Sequence, residues 1–111
     1  MLVRYRLLRL ADAELTHAIA HYEREREGLG FEFFECYEAA ALHALRFPES
    51  GSPVELKRLA QLGLQMRRVV LERFPYELVT MVVDEDLVIA AVAHQHRRPG
   101  YWIGRLAKTT R

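Results

Sequence analysis

The stretch Leu87-Val88-Ile89-Ala90-Ala91-Val92-Ala93 is the most apolar of the chain and constrains its fold more than any other. It follows an acidic turn, Asp84-Glu85-Asp86, and reads as a strand over Leu87–His96. A strand apolar on both faces is buried on both, so it belongs at the centre of a sheet. It runs directly into His94-Gln95-His96-Arg97-Arg98-Pro99-Gly100-Tyr101-Trp102. A rigid strand end thereby delivers histidines, arginines and aromatics to one place, a cluster suited to a polyanion, a nucleobase or an acidic partner.

The remaining elements follow from period and punctuation. Val3–Leu8 alternates as a short strand. Asp12 caps or opens a first helix, Leu15, Ala18, Ile19 and Tyr22 form its apolar stripe, and Gly28-Leu29-Gly30 ends it. A second helix spans about Phe31 to Phe47, with one stripe of Phe31, Phe34, Ala41, Leu42 and Leu45 and another of Phe33, Tyr37, Ala40 and Ala44. So wide an apolar arc implies burial against the first helix and against something else, a sheet or a partner. Pro48 and Ser50-Gly51-Ser52-Pro53 terminate it. Val54–Leu64 has no clear period and room for one short helical turn. Met66–Arg73 and Tyr76–Val83 read as further strands, the latter joined to the apolar strand by the Asp84-Glu85-Asp86 hairpin turn. The order describes an α+β fold: an N-terminal strand, a two-helix hairpin packed on a mainly antiparallel sheet, and a short basic C-terminal tail.

A chain of 111 residues, half of them hydrophobic, supports a single domain over 1–111 with one core. Met1-Leu2-Val3-Arg4-Tyr5-Arg6 breaks any leader-like apolar run with cations, and no run reaches membrane-spanning length. Together with the lone Cys36, a small packing residue, this fits a cytoplasmic protein without membrane contact. The net charge is only +1, but residues 1–55 carry −4 and residues 56–111 carry +5. Such asymmetry hints at an anionic partner, and a solvated basic tail accounts for it as well.

His94 and His96 lie two apart on a strand and so share a face. With Arg97, Arg98 and Tyr101 they supply general acid/base groups and phosphate clamps, the equipment of a metal-free ribonuclease. The bland alternative has the histidines hydrogen-bonded in the sheet and the arginines in water. Arg67 and Arg68 face opposite ways, so at most one joins the cluster, and Arg73 shares a face with Arg67. Tyr101 and Trp102 can stack on bases, though such a pair more often folds back over the core. His17 and His21 have a zinc-compatible spacing, but no third ligand is evident and a solvated helix face explains them. No metal and no cofactor is expected, and no serine or cysteine triad can be assembled.

Three stretches together resemble the ParE/RelE superfamily of toxins from bacterial toxin–antitoxin systems, once labelled plasmid stabilisation proteins. They are Tyr22-Glu23 with Gly28-Leu29-Gly30, Met66-Arg67-Arg68-Val69 leading into Arg73-Phe74-Pro75-Tyr76, and Ile89 through Trp102. The resemblance spans nearly the whole chain and its third stretch is the most specific. It implies a small cytoplasmic toxin neutralised by a separate antitoxin whose C-terminal segment wraps around it. The face of the second helix carrying Phe33, Tyr37, Ala40 and Ala44 would meet that antitoxin. ParE-like members poison DNA gyrase, whereas RelE-like members cleave messenger RNA on the ribosome. The Phe74-Pro75-Tyr76 and His96-Arg97-Arg98-Pro99 wording is closer to the ParE branch, and the second half has only Lys57 and Lys108 as lysines. On that branch Arg67, Arg68, Arg73, Arg97, Arg98, Tyr101 and Trp102 form the target surface. On the nuclease branch His94, His96 or Tyr101 is the base. A non-toxic member that only binds antitoxin and helps repress the operon is the third possibility.

Overall fold

The computed structural model describes residues 1–108, with side chains through Leu106; the Lys108 side chain and Arg111, two cations of the basic tail, lie outside the described residues. The elements are β1 (Arg4–Leu7), α1 (Arg9–Glu25), α2 (Leu29–Arg46), β2 (Ser52–Pro53), α3 (Lys57–Leu62), β3 (Arg67–Val70), β4 (Tyr76–Val83), β5 (Asp86–His94) and a 3-10 helix over Ile103–Lys108. The strands form one sheet in the order β1-β5-β4-β3-β2, antiparallel except for the parallel pair β1–β5. This is the α+β architecture expected from the sequence. No helix among the described residues is long and apolar enough to cross a membrane.

β5 is the buried strand that its composition requires, with Leu87 through Ala93 almost wholly inaccessible. Register decides which side chain meets which layer. Leu78, Val69 and Val92 lie opposite one another on the face that also carries Tyr76, and the Tyr76 ring packs against Tyr22 of α1 and Phe33 of α2. That face therefore meets the helical hairpin. Val79, Met81, Val88 and Ala91 occupy the opposite face and are buried too. Val79 pairs with Ala91 while Thr80 pairs with Ile89, so Ala90 is an extra residue in β5. This bulge brings Ile89 and Val92, three apart, onto the same face and interrupts the two-residue alternation that the sequence implies.

Several boundaries differ from expectation for identifiable reasons. α1 starts at Arg9, ahead of Asp12, because Leu8 serves two elements at once. Its N–H donates to the Ile89 carbonyl (3.0 Å), and its carbonyl accepts from the Asp12 N–H (2.9 Å). Asp12 thus sits in the first turn rather than at the cap. Asp86 belongs to β5 and not to the turn, where its carboxylate accepts from Arg4 Nε (3.1 Å) and Arg6 Nε (2.9 Å) and pins β1 against it. Ser52–Pro53, expected as loop, forms an outermost two-residue strand, a position where proline removes no ladder bond.

Of the two stripes on α2, one is the more fully buried, although Ala41 of the other is buried and its Phe34 and Leu45 are half-buried. Phe33, Tyr37 and Ala44 are buried and Ala40 is half-buried, whereas Phe31 and Leu42 are exposed. Phe33 forms the centre of a ring cluster, with centroids 5.2 Å from Tyr22, 5.1 Å from Phe74 and 5.0 Å from Tyr76. The face carrying Phe33, Tyr37, Ala40 and Ala44, expected to meet an antitoxin, is therefore turned inward onto the chain's own sheet. Packing there leaves no side chain of that stripe but Ala40 within reach of a partner.

The helices meet closely at their link. The Glu23 carboxylate accepts the Gly28 and Gly30 N–H groups, each at 3.0 Å, and so satisfies orphan donors at the start of α2. Gly28 takes φ 89°, and a Cβ on Gly30 would lie 2.7 Å from the Ile19 carbonyl oxygen. Helix propensity alone favours alanine over glycine by about 0.5–1 kcal/mol. The close approach opposes it, so Gly30→Ala is expected to lower stability by about 1–3 kcal/mol. A urea titration measures this, and an unchanged or higher midpoint would mean that the hairpin tolerates the methyl group.

Candidate functional site

β1 makes its last pairing with β5 at Ile89, yet β5 continues to His94. Among the described residues, no strand lies beside this edge of β5 beyond that point. Its buried backbone groups need partners all the same. Arg105 Nη1 donates to the Ala90 carbonyl (3.0 Å), and the Val92 N–H donates to Glu14 Oε1 (3.0 Å). Arg105 and Glu14 then join each other in a two-pronged ion pair, Nη1–Oε1 and Nη2–Oε2 both at 2.8 Å. The Tyr101 hydroxyl donates to Glu14 Oε2. One carboxylate on α1 thus holds β5 and the C-terminal segment together.

The electrostatics follow from this crowding. Burial alone would raise the Glu14 carboxyl, but hydrogen bonds from Arg105, Tyr101 and the Val92 N–H outweigh it and hold the group below its ordinary 4.5. Tyr101 moves the other way: burial, and then the bonded Glu14 carboxylate, push its hydroxyl up, so it keeps its proton. The Arg97 guanidinium carbon lies 3.8 Å from the centre of the Tyr101 ring.

Between this segment and the sheet lies a cleft of about 330 Å³. Arg68, Glu77 and Ala93 form its floor, and Arg97, Arg98 and Tyr101 its wall. Pro99-Gly100 makes the bend, with Gly100 at φ 80° and so tightly placed that a Cβ would come 3.0 Å from Leu56. Arg68 Nε is 3.9 Å from Glu77 Oε2, a loose pair, and the lining sets Arg68, Arg97 and Arg98 against Glu55 and Glu77, a small cationic excess. Among the described residues no group of three His, Cys, Asp or Glu side chains is arranged to hold a metal ion.

The residues singled out in the sequence divide among different places. Pairing of Arg68 with Val79 and of Arg67 with Thr80 sends Arg68 to the cleft and Arg67 to the other face, where Nη1 donates to the Gly51 carbonyl (3.3 Å). Arg73 lies outside the cleft altogether, because β3 stops at Val70 and the strand alternation does not extend to it. Arg73 Nη2 instead donates to Glu32 of α2 at 2.7 Å. Trp102 is 3% exposed and packs into the core, so its ring is not a stacking platform for a target. Tyr101 has the wrong protonation tendency and an occupied hydroxyl for a general base.

The two histidines stay together at the rim of the cleft, whose lining His94 joins. His94, paired with Tyr76, directs its ring to the helix side of the sheet, 5.1 Å from the Tyr76 centroid. β5 ends there, and His96 lies in the following turn rather than two strand positions on. Its N–H donates to His94 Nδ1 (3.0 Å), and the rings stand 4.9 Å apart. Of the predicted residues, the fold thus brings Arg68, His94, Arg97, Arg98, Tyr101 and Trp102 to the cleft and leaves Arg67 and Arg73 outside it. Glu14 and Arg105, 91 residues apart in the chain, carry no local sequence sign of their pairing.

No family model and no curated protein matches the chain. Among solved structures, a chain titled "Chromosomal ParDE TA system from P. aeruginosa" matches with a TM-score of 0.58 over 85% of this chain and 96% of that one, at 17% identity. The likeness is one of fold, and that fold is the one implied by the resemblance to the ParE/RelE superfamily.

A carboxyl with a depressed folded-state pKa stabilises above its unfolded value and loses that contribution as pH falls through the folded one. Glu14→Gln is therefore expected to lower stability at pH 7, by about 1.5–3 kcal/mol for charge-assisted bonds. The gap to the unsubstituted chain should close as pH drops below 4.5. Glu32 and Asp86, also held low by arginines, titrate in both proteins and cancel in the difference. Urea midpoints across a pH series provide the measurement, and a gap independent of pH would count against an ionised Glu14.

Proposed function

We propose that the chain is the toxin component of a type II toxin–antitoxin system. In this reading a cognate antitoxin neutralises it, and it acts as one domain by binding DNA gyrase rather than by cutting RNA. The observation that carries the proposal is the shared fold with a chain of a ParDE system, over nearly all of both chains. The likeness of three sequence stretches to the superfamily, with ParE-like wording in two of them, supports it independently. An antitoxin partner for this chain is inferred from the same neighbour.

The choice of mechanism rests on the cleft. Cleavage of RNA through its 2′-hydroxyl needs a proton acceptor beside the cations that stabilise the phosphorane. Here the His94 ring leans on Tyr76, with Nδ1 occupied by the His96 N–H, and the Tyr101 proton is retained. Arg68, Arg97 and Arg98 form a cationic contact surface, which suits an acidic protein face by charge complementarity. The second reading, a ribosome-dependent and metal-independent endoribonuclease, keeps His96, exposed and next in the chain to Arg97 and Arg98.

A supercoiling assay with purified gyrase is the direct test. Inhibition that the antitoxin relieves is the expected result. No effect at high excess, with chelator-resistant messenger cleavage in a purified translation system, would transfer the function to the ribosome. If neither activity appears and cells expressing the chain alone grow normally, antitoxin binding and operon repression are what remain. The substitution Arg97→Ala with Arg98→Ala is expected to abolish toxicity while far-UV circular dichroism and the thermal midpoint stay near those of the parent. Retained toxicity at equal expression would remove these arginines from the target surface.

A further inference from the structure

We propose that Glu14 is the positioning residue of the cleft: it latches the C-terminal segment to the open edge of β5 and thereby sets where Arg97 stands, without lining the cleft itself. Three side-chain hydrogen bonds from the segment, made by Tyr101 Oη, Arg105 Nη1 and Arg105 Nη2, end on this one carboxylate. Trp102 and Leu106 hold the same segment by burial, at 3% and 1% exposure. Apolar burial is non-directional and leaves the segment free to shift over the sheet. The carboxylate supplies the direction, because its two oxygens are already fixed by the Val92 N–H and the Arg105 fork. Fixing the Tyr101 hydroxyl fixes its ring, and the ring carries the Arg97 guanidinium at 3.8 Å. Glu14 thus acts on the cleft through Tyr101, from 87 residues away in the chain.

Trp102 is the single tryptophan, and it adjoins Tyr101, so its emission reports on the seating of the segment. The test compares the full chain with Glu14→Gln, Tyr101→Phe and Asp86→Asn; the last breaks the arginine clamp on β1 at the other end of β5. Glu14→Gln and Tyr101→Phe are expected to red-shift Trp102 emission and increase its quenching by acrylamide, at a temperature where far-UV circular dichroism is unchanged. Asp86→Asn is expected to lower the thermal midpoint without either change. A general stabilising role for Glu14 would also lower the midpoint and leave the emission alone, and that result overturns the proposal. Should Glu14→Gln fail to fold, Tyr101→Phe decides, since it retains the ion pair.

The functional arm rests on the cleft being the target surface. Loss of gyrase inhibition in parallel with the emission shift supports positioning, and full inhibition by shifted variants overturns it. If the parent chain does not inhibit gyrase while the emission shifts appear, the latch stands and the gyrase reading falls.

Discussion

The most buried strand of the protein outruns its neighbour. β1 ends at Leu7 and the chain turns at once into α1, leaving the Ala90 carbonyl and the Val92 N–H inside the molecule without a ladder. Unmet backbone groups in such a place are worth about 1–3 kcal/mol each. Much of the arrangement follows from how they are met. A carboxylate must arrive from the first turns of α1 and a guanidinium from beyond the sheet, and each then compensates the charge of the other. The hairpin layer, the sheet and the C-terminal segment are joined at this single point. An apolar plug could fill the same volume, but it would leave both backbone groups unsatisfied.

The division of the polar cluster at the end of β5 has the same origin in local geometry. The bulge at Ala90 resets which residues look toward the helices, and the end of the strand at His94 releases the next residues from alternation. Imidazoles are drawn to an aromatic group on the helix side. Arg97 and Arg98 follow a turn closed by the Arg97 N–H on the His94 carbonyl (3.0 Å), and the Arg97 guanidinium rests on Tyr101. The acidic half of the chain contributes one carboxylate to the cleft lining, Glu55, while several others are engaged elsewhere. Glu32 holds Arg26 and Arg73, and Glu23 caps the start of α2. The net cationic character of the cleft therefore owes as much to where the acids are occupied as to the number of arginines.

Strong local signals were legible in the sequence. β4 occupies Tyr76–Val83 as its pattern indicates, β5 is buried on both faces as an interior strand though one place in from the edge rather than at the centre, and the helical hairpin turns at its glycines. What could not be read required knowledge of partners. Both stripes of α2 are apolar, and only the sheet reveals that Phe33 faces inward and Phe31 outward. Arg67 and Arg68 are equivalent until the register with Thr80 and Val79 separates them. The bond between Glu14 and Arg105 joins residues 91 apart, and neither carries a local sign of it. Trp102 reads more readily as core than as a stacking platform, and its burial at 3% exposure bears that out.

Parallel pairing of β1 with β5 has a consequence for how the chain comes into being. β1 has β5 as its ladder partner, with three helices and three strands between them in the chain. Contacts of such long span form late, because closing the loop comes before the gain. During translation the hairpin of α1 and α2 emerges with Phe33 and Tyr37 facing no sheet, and Glu14 waits for a tyrosine and an arginine not yet made. The cationic cleft has no existence in a partial chain. Its appearance is tied to the emergence of the segment that carries Tyr101 and Arg105, so this surface chemistry arises in one step rather than growing in with length.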